Sequence, residues 1–152
     1  MLRETINDAL KTAMKAKDAR RVSTLRLVQA ALKDRDIANR GVGKPETTDD
    51  ELLQILAKMV KQREESAKVY DDAGRPELAT HEREEIAIIG DFQPEQFSEA
   101  QVKEVVATAI AEAEATGPKD MGKVMAILKE RHAGQMDFAK ASGVLKGLLS
   151  GA

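Results

Sequence analysis

Residues 48–70 read TDDELLQILAKMVKQREESAKVY, and this stretch decides the fold class. Its apolar side chains recur at steps of three and four residues, the period of one face of an α-helix. Thr48 followed by Glu51 is the pattern of a capping box at a helix start, and Gly74 is suited to ending the same helix. The stretch therefore predicts one long helix, with an inward stripe of Leu52, Ile55, Leu56, Met59, Val60 and Tyr70.

The segments on either side of this helix show the same period, and none alternates at period two for long enough to be a strand. Asp18 is placed to cap a second helix, and Pro76 suits the first turn of a fourth. The inward positions of these three helices are Leu2, Ile6, Leu10 and Met14; Val22, Leu25, Val28 and Leu32; and Leu78, Ile86 and Ile89. The sequence therefore predicts an all-α protein with an N-terminal helical domain of about four helices over residues 1–93.

The helical pattern breaks at Pro94 and begins again at Ser98. Ser98 and Gln101 form a second capping-box pattern, and Phe97 and Val102 are placed as a hydrophobic staple. Three helical stretches follow. We expect a small three-helix domain over residues 94–152, with inward positions Val102, Val105, Val106, Ala109, Ile110, Ala113, Met121, Val124, Met125, Leu128, Phe138, Ala141, Leu145 and Leu148.

The composition excludes several classes of protein. The 152 residues include no cysteine, which rules out disulfide scaffolds, thiolate zinc sites and cysteine nucleophiles. His81 and Glu85 stand one turn apart, but the second histidine of the H-E-x-x-H zinc signature is missing. An exposed face of charged residues is the simpler interpretation of that segment. We therefore expect no catalytic residue, no metal site and no cofactor.

The N-terminal residues and the hydropathy of the chain bear on its compartment. The first ten residues mix charged and polar side chains with apolar ones and lack the apolar centre of a secretory signal. No run of about 18 apolar residues exists. These features predict a cytoplasmic protein with no membrane partner.

Charge is unevenly distributed along the chain. Residues 1–44 hold 11 Lys and Arg against 5 Asp and Glu, residues 45–99 hold 6 against 15, and residues 100–152 hold 7 against 6. A basic first segment could meet a polyanion, whereas solvated helix faces would give the same distribution without any ligand.

Residues 119–125, KDMGKVM, form the most suggestive segment for binding. A helix start presents backbone N–H groups, and Lys119 and Lys123 one turn apart would add positive charge, which together suit a phosphate. Two structural explanations compete with phosphate binding. Asp120 could cap the helix with its own carboxylate, and Gly122 could serve close packing of helices. The candidate basic patch comprises Lys119, Gly122, Lys123, Lys129, Arg131, Lys140 and Lys146.

The chain resembles the GatB/YqeY family. The motifs that carry the resemblance are Val60-Lys61-Gln62-Arg63 with Ser66 and Tyr70, Ala73-Gly74-Arg75 with Leu78, Glu85-Ile86, and Asp120-Met121-Gly122-Lys123-Val124-Met125. They span most of the chain in the family's order.

The resemblance implies a YqeY-like protein whose last domain is similar to the tail of the B subunit of glutamine-dependent aminoacyl-tRNA amidotransferase, a tail that holds tRNA. It implies tRNA as a partner, with an amidotransferase or an aminoacyl-tRNA synthetase as a possible protein partner. The resemblance also implies the family label, which is carbon–nitrogen ligase with glutamine as amido-N-donor. No activity of this chain alone is expected.

Two alternatives accompany this interpretation. The helical faces could dock a protein, making the chain an adaptor with no RNA ligand. If the segment around Gly122 is purely structural, the phosphate site would have to be sought among Arg20, Arg21 and Arg26, the other dense arginine cluster.

Overall fold

The computed structural model describes residues 1–151, and its regular secondary structure there is entirely helical. The helices are α1 Leu2–Lys15, α2 Ala19–Gly41, α3 Asp49–Asp72, α4 Pro76–Gly90, α5 Glu99–Ala113, α6 Met121–Arg131 and α7 Phe138–Gly151. A short 3-10 turn, Pro118–Asp120, leads into α6. The all-α prediction is confirmed.

The chain divides into two compact units, Met1–Gln93 and a second that begins at Pro94. In the first unit α3 packs against α1, α2 and α4. The buried core of this unit consists of aliphatic side chains and one aromatic ring: Ile6, Leu10, Leu25, Val28, Leu32, Leu52, Leu56, Met59, Ile89 and Phe92. Burial of these apolar groups is the main stabilising contribution to the unit.

Local signals position the helices of the first unit. The Asp18 carboxylate accepts a hydrogen bond from the backbone N–H of Arg21 at the start of α2. The hydroxyl of Thr48 accepts one from the backbone N–H of Glu51 at the start of α3. The expected capping box at Thr48 is only half formed, because the Glu51 carboxylate accepts from the Asn39 side chain at 2.8 Å and pairs with Arg35 at 3.3 Å.

The second unit has its own core, formed by α5, α6 and α7. Its buried members are Val106, Ala109, Ala113, Val124, Leu128, Met136, Ala141 and Leu145. Both halves of the capping box between Ser98 and Gln101 are present, as predicted. The backbone N–H of Phe97 donates to the carbonyl of Gln135 at 2.9 Å, and its ring meets the His132 ring edge to face.

Two predicted inward residues are exposed. Met14 is 50% exposed and Leu148 is 42% exposed. In α1 the buried position of the last turn belongs to Ala13, since the chain turns away at Ala16 and Lys17. In α7 the apolar stripe passes from the buried Leu145 to Leu149, one full turn on, and leaves Leu148 at the surface.

Asp36 on α2 is the polar group that ties the start of the chain to the α2–α3 connection. Its carboxylate accepts two hydrogen bonds from the Arg3 guanidinium, both at 2.9 Å. It also accepts from the backbone N–H and the hydroxyl of Thr47, at 2.9 and 2.7 Å. These donors, the Arg3 guanidinium first, hold the pKa of Asp36 well below its usual range.

We predict that Asp36→Asn destabilises the first unit by about 1.5 to 3 kcal/mol at pH 7, the contribution of hydrogen bonds to a charged group. Because folding lowers the pKa of Asp36, its ionised form stabilises the protein above the unfolded-state pKa of 3.8. That contribution declines progressively as the pH falls from this value toward the lower folded-state pKa, so part of it is lost at pH 3. Urea unfolding at pH 7 and pH 3, followed by the fluorescence of Tyr70, should show the gap between the two proteins narrowing in acid.

Candidate nucleic-acid interface

The start of α6 is shaped by the turn that precedes it. The backbone N–H of Asp120 donates to the carbonyl of Gly117, and that of Met121 donates to the carbonyl of Pro118. The 3-10 turn therefore runs directly into α6. Lys119 lies in the turn, and Gly122 and Lys123 lie in the first turn of the α-helix.

Asp120 does not cap α6. Its side chain forms no cap hydrogen bond with the helix, and instead accepts from the backbone N–H of Thr116 at 3.0 Å. This hydrogen bond is the main reason that the pKa of Asp120 is lowered, and the charges of Lys119 and Lys123 lower it further. The capping explanation of the segment is therefore wrong. The carboxylate nevertheless partly offsets the positive charge of the two lysines.

Gly122 is exposed, and a Cβ atom built on it would meet no atom within 4 Å. The backbone at Gly122 does not adopt the positive φ that favours glycine, whereas the backbone at Gly134 does. The explanation that Gly122 allows close helix packing is therefore wrong. A glycine here leaves an open stretch of backbone facing solvent.

Four predicted residues share the solvent side of this segment. Lys119, Gly122, Lys123 and Lys129 are all exposed. Their spacing places them on the side of α6 opposite the buried Val124 and Leu128. Sequence reasoning missed Ala126, an exposed small residue on the same side, although its place four residues after Gly122 is a readable signal.

The remaining members of the predicted patch are Arg131 in the last turn of α6, and Lys140 and Lys146 on α7. Arg131 forms an ion pair with Glu112 of α5. Lys140 and Lys146 lie on α7 and are both exposed. Gly143, which lies between them, and Gly147, which follows Lys146, are exposed as well. Four members of the predicted patch therefore lie exposed along the 3-10 turn and α6: Lys119, Gly122, Lys123 and Lys129.

The alternative arginine cluster in the first unit is largely occupied within the chain. The Arg20 guanidinium contacts the His81 ring at 3.0 Å and pairs with Glu84 at 3.3 Å. Arg21 pairs with Asp91 at 2.8 Å and lies 5.5 Å from the centroid of the Phe92 ring. These two arginines hold α2 against α4 and its C-terminal turn.

His81 therefore faces the cationic guanidinium of Arg20.

Among residues 1–151, no group of three or more potential metal-ligating side chains is placed to hold a metal ion. No helix in the same range is both long and apolar enough to span a bilayer.

The sequence profile of the family described as Yqey-like protein matches residues 3–149. Altered inheritance of mitochondria protein 41, mitochondrial, from Pyrenophora tritici-repentis is 28% identical over 127 residues, which cover 80% of this chain and 68% of that protein. An uncharacterized protein of Schizosaccharomyces pombe is 32% identical over 97 residues, covering 64% and 76%. A protein of Clavispora lusitaniae with the first relative's name is 36% identical over 80 residues, covering 53% and 44%.

The prediction of a cytoplasmic protein is wrong, because the relatives from Pyrenophora tritici-repentis and Clavispora lusitaniae are named as mitochondrial proteins. That prediction compared the first ten residues only with a secretory signal. Mitochondrial targeting sequences have a different character, amphipathic and rich in arginine. The absence of a secretory signal is therefore no indication against mitochondria.

We predict that Gly122→Ala leaves the protein as stable or raises its unfolding free energy by up to about 1 kcal/mol, the helix preference of alanine over glycine. The open space around Gly122 leaves nothing to overpack. Thermal unfolding followed by circular dichroism measures this. Val124→Ala, a buried control two residues away, should instead cost about 2 kcal/mol. A comparable loss in Gly122→Ala would show a tight contact at Gly122.

Proposed function

This chain belongs to the Yqey-like protein family, and from that membership we propose that it is a tRNA-associated binding module without catalysis of its own. We further propose that its second unit is related to the tail of the B subunit of glutamine-dependent aminoacyl-tRNA amidotransferase. The observation that supports RNA binding is the start of α6, where an exposed glycine lies between two exposed lysines.

The glycine is the informative residue of this site. An exposed glycine in a helix costs up to about 1 kcal/mol relative to alanine, and neither packing nor backbone conformation requires one at position 122. A ligand that approaches the backbone closely would require it. Phosphate is such a ligand, since the start of a helix carries partial positive charge. The N–H groups of Asp120 and Met121 already donate within the 3-10 turn, so the attraction proposed here is one of charge.

The lysines supply the charge. Lys119 and Lys123 flank Gly122, and Lys129 extends the same face toward the end of α6. Cations spread over the exposed side of a helix suit the phosphates of an RNA backbone, which gives affinity without base readout. The four aromatic residues of the chain leave little for base stacking, so the proposal is one of backbone recognition.

A protein that holds tRNA without modifying it would act beside an enzyme that does. We propose an amidotransferase or an aminoacyl-tRNA synthetase as that enzyme. The names of the fungal relatives refer to mitochondrial inheritance. Because tRNA is charged in mitochondria as well as in the cytoplasm, the proposal does not depend on the compartment.

We predict that the double variant Lys119→Ala, Lys123→Ala binds labelled tRNA at least roughly tenfold more weakly than the unmodified protein, since each charge-assisted contact is worth about 1.5 to 3 kcal/mol. The slope of log affinity against log salt should also become shallower by about 1 to 2. Lys103→Ala, an exposed lysine of α5 in the same unit, serves as the control and should change neither quantity.

Gly122→Ala sharpens this test. If phosphate approaches the backbone, the added methyl group weakens tRNA binding even though the fold is at least as stable. A fall in both affinity and stability would assign Gly122 a structural role. Absence of tRNA binding at low salt, or binding unaffected by the double lysine variant, would overturn the proposal.

We also predict that the protein incubated with glutamine, ATP and Glu-tRNA(Gln) or Asp-tRNA(Asn) yields no amidated product, measured by chromatography of the released amino acid. An amidotransferase needs a nucleophile activated by a nearby base. Both histidines are engaged elsewhere, His81 with Arg20 and His132 with Gln135. Turnover above a protein-free blank would contradict the non-catalytic assignment.

A further inference from the structure

Helix α2 carries a second row of residues on its solvent side, and three of its six residues, Leu27, Ala30 and Ile37, make it the apolar row of this helix. One side of the helix buries Leu25, Val28 and Leu32 in the core. The opposite side presents residues at alternating steps of four and three, all of them exposed: Ser23, Leu27, Ala30, Asp34, Ile37 and Gly41. This spacing is that of the a and d positions of a coiled coil.

The two large side chains of this row are well exposed for aliphatic groups. Leu27 is 47% exposed and Ile37 is 56% exposed. They lie ten residues apart on the same face, with Ala30 between them. Leucine and isoleucine at heptad spacing are the residues that a second helix buries.

A row of cations runs along one edge of this apolar row. Arg26, Lys33 and Arg40 are seven residues apart and directly precede Leu27, Asp34 and Gly41, which is the g position of a heptad. The other arginines of α2 are engaged, Arg20 and Arg21 with the α4 region and Arg35 with Glu51. Within residues 1–151, by contrast, no carboxylate forms an ion pair with the three edge cations.

A second copy of this chain fits the surface poorly. Parallel pairing of two α2 helices would bring the two Asp34 carboxylates face to face. Antiparallel pairing would align the edge of Arg26, Lys33 and Arg40 with the same edge of the other copy. Both arrangements place like charges together, which disfavours self-association.

RNA also fits this surface less well than a helix does. The edge cations could meet phosphates, but a phosphate backbone would leave Leu27 and Ile37 in water. This row favours binding through the burial of its apolar area against a partner. A ligand that buries the apolar row must present an apolar surface to it. To compensate the adjacent edge cations, the same ligand must carry acidic groups next to that apolar surface.

We propose that the solvent face of α2 is a docking surface for an acidic amphipathic helix of a partner protein. The partner helix packs apolar a and d residues on Leu27, Ala30 and Ile37, and aligns Glu or Asp with Arg26, Lys33 and Arg40. A cation or an amide of the partner lies opposite Asp34 and fixes the register. This surface shares no residue with the α6 site, so either can fail without the other.

Two synthetic helical peptides of about three heptads test the proposal with the full chain. Both carry Leu at a and d, and a Lys placed to meet Asp34. One has Glu at all e and g positions, and the other has Lys there. Fluorescence anisotropy should show that the acidic peptide binds and the basic one does not, with an affinity that falls as salt screens the charged edge.

Two variants separate the two parts of the surface. The double variant Leu27→Ser, Ile37→Ser should lose at least roughly tenfold in affinity for the acidic peptide through lost apolar burial. The triple variant Arg26→Glu, Lys33→Glu, Arg40→Glu should lose the acidic peptide and gain the basic one. The matched control, Lys58→Glu with Lys68→Glu on exposed positions of α3, should leave acidic-peptide binding unchanged. Circular dichroism melting confirms that each variant is folded.

Three results would overturn the proposal. The first is equal binding of both peptides, or binding that the Leu27 and Ile37 substitutions do not change. The second is loss of tRNA binding in the triple variant, together with displacement of the acidic peptide by tRNA, which would assign the surface to RNA. The third is a dimer seen in sedimentation that Ile37→Asp dissolves, which would assign it to a second copy of the chain.

Discussion

Burial of aliphatic stripes, one per helix, is the constraint on which both units depend. The chain has three Phe, one Tyr and no Trp, so its cores are built from Leu, Ile, Val, Met and Ala. Large aromatic side chains bury the most area per residue and have specific packing geometries. A core with few aromatic side chains must bury almost every residue of each aliphatic stripe. This requirement is met by long helices in the first unit and by three mutually packed helices in the second.

Aliphatic packing alone leaves the alignment of helices weakly specified, and polar pairs supply the missing specificity. Arg63 of α3 donates from Nε to the Glu85 carboxylate of α4 at 2.7 Å and from Nη1 to the carbonyl of Met59 at 3.1 Å. Both side chains are less than one-fifth exposed. Removing one partner of such a pair leaves the charge of the other partly buried and unpaired. Two of the residues that carry the family resemblance therefore fasten α3 to α4.

The functional interpretation depends on separating paired cations from exposed ones. Arg3, Arg20, Arg21, Arg35, Arg63 and Arg131 all lie within ion-pair distance of carboxylates of the chain. The lysines around Gly122 and the edge cations of α2 lie on solvent faces of their helices. A paired cation is already compensated, whereas an exposed cation remains available to an acidic partner. At the surface proposed for RNA, available cations lie beside the open backbone of Gly122. At the surface proposed for a protein helix, available cations lie beside the apolar row of α2.

The sequence by itself determined the features that depend on neighbours a few residues away. The all-α fold class follows from the 3.6-residue period, and the caps at Asp18 and Ser98 follow from side chains three residues from their donors. The family follows from motifs along the chain. At the candidate site, Lys119, Gly122 and Lys123 can be recognised as a group because they lie within about one turn of each other.

Only the tertiary structure decided which residues are engaged and which are available. Arg20 meets His81 across 61 positions of sequence, and Arg21 meets Asp91 across 70. No local pattern encodes such pairings. The hydrogen bond of Asp120 to Thr116, the open space beside Gly122 and the exposure of Met14 and Leu148 likewise depend on where the chain turns and on what packs nearby. Periodicity gives each side chain a direction around its helix, but only packing determines what lies in that direction.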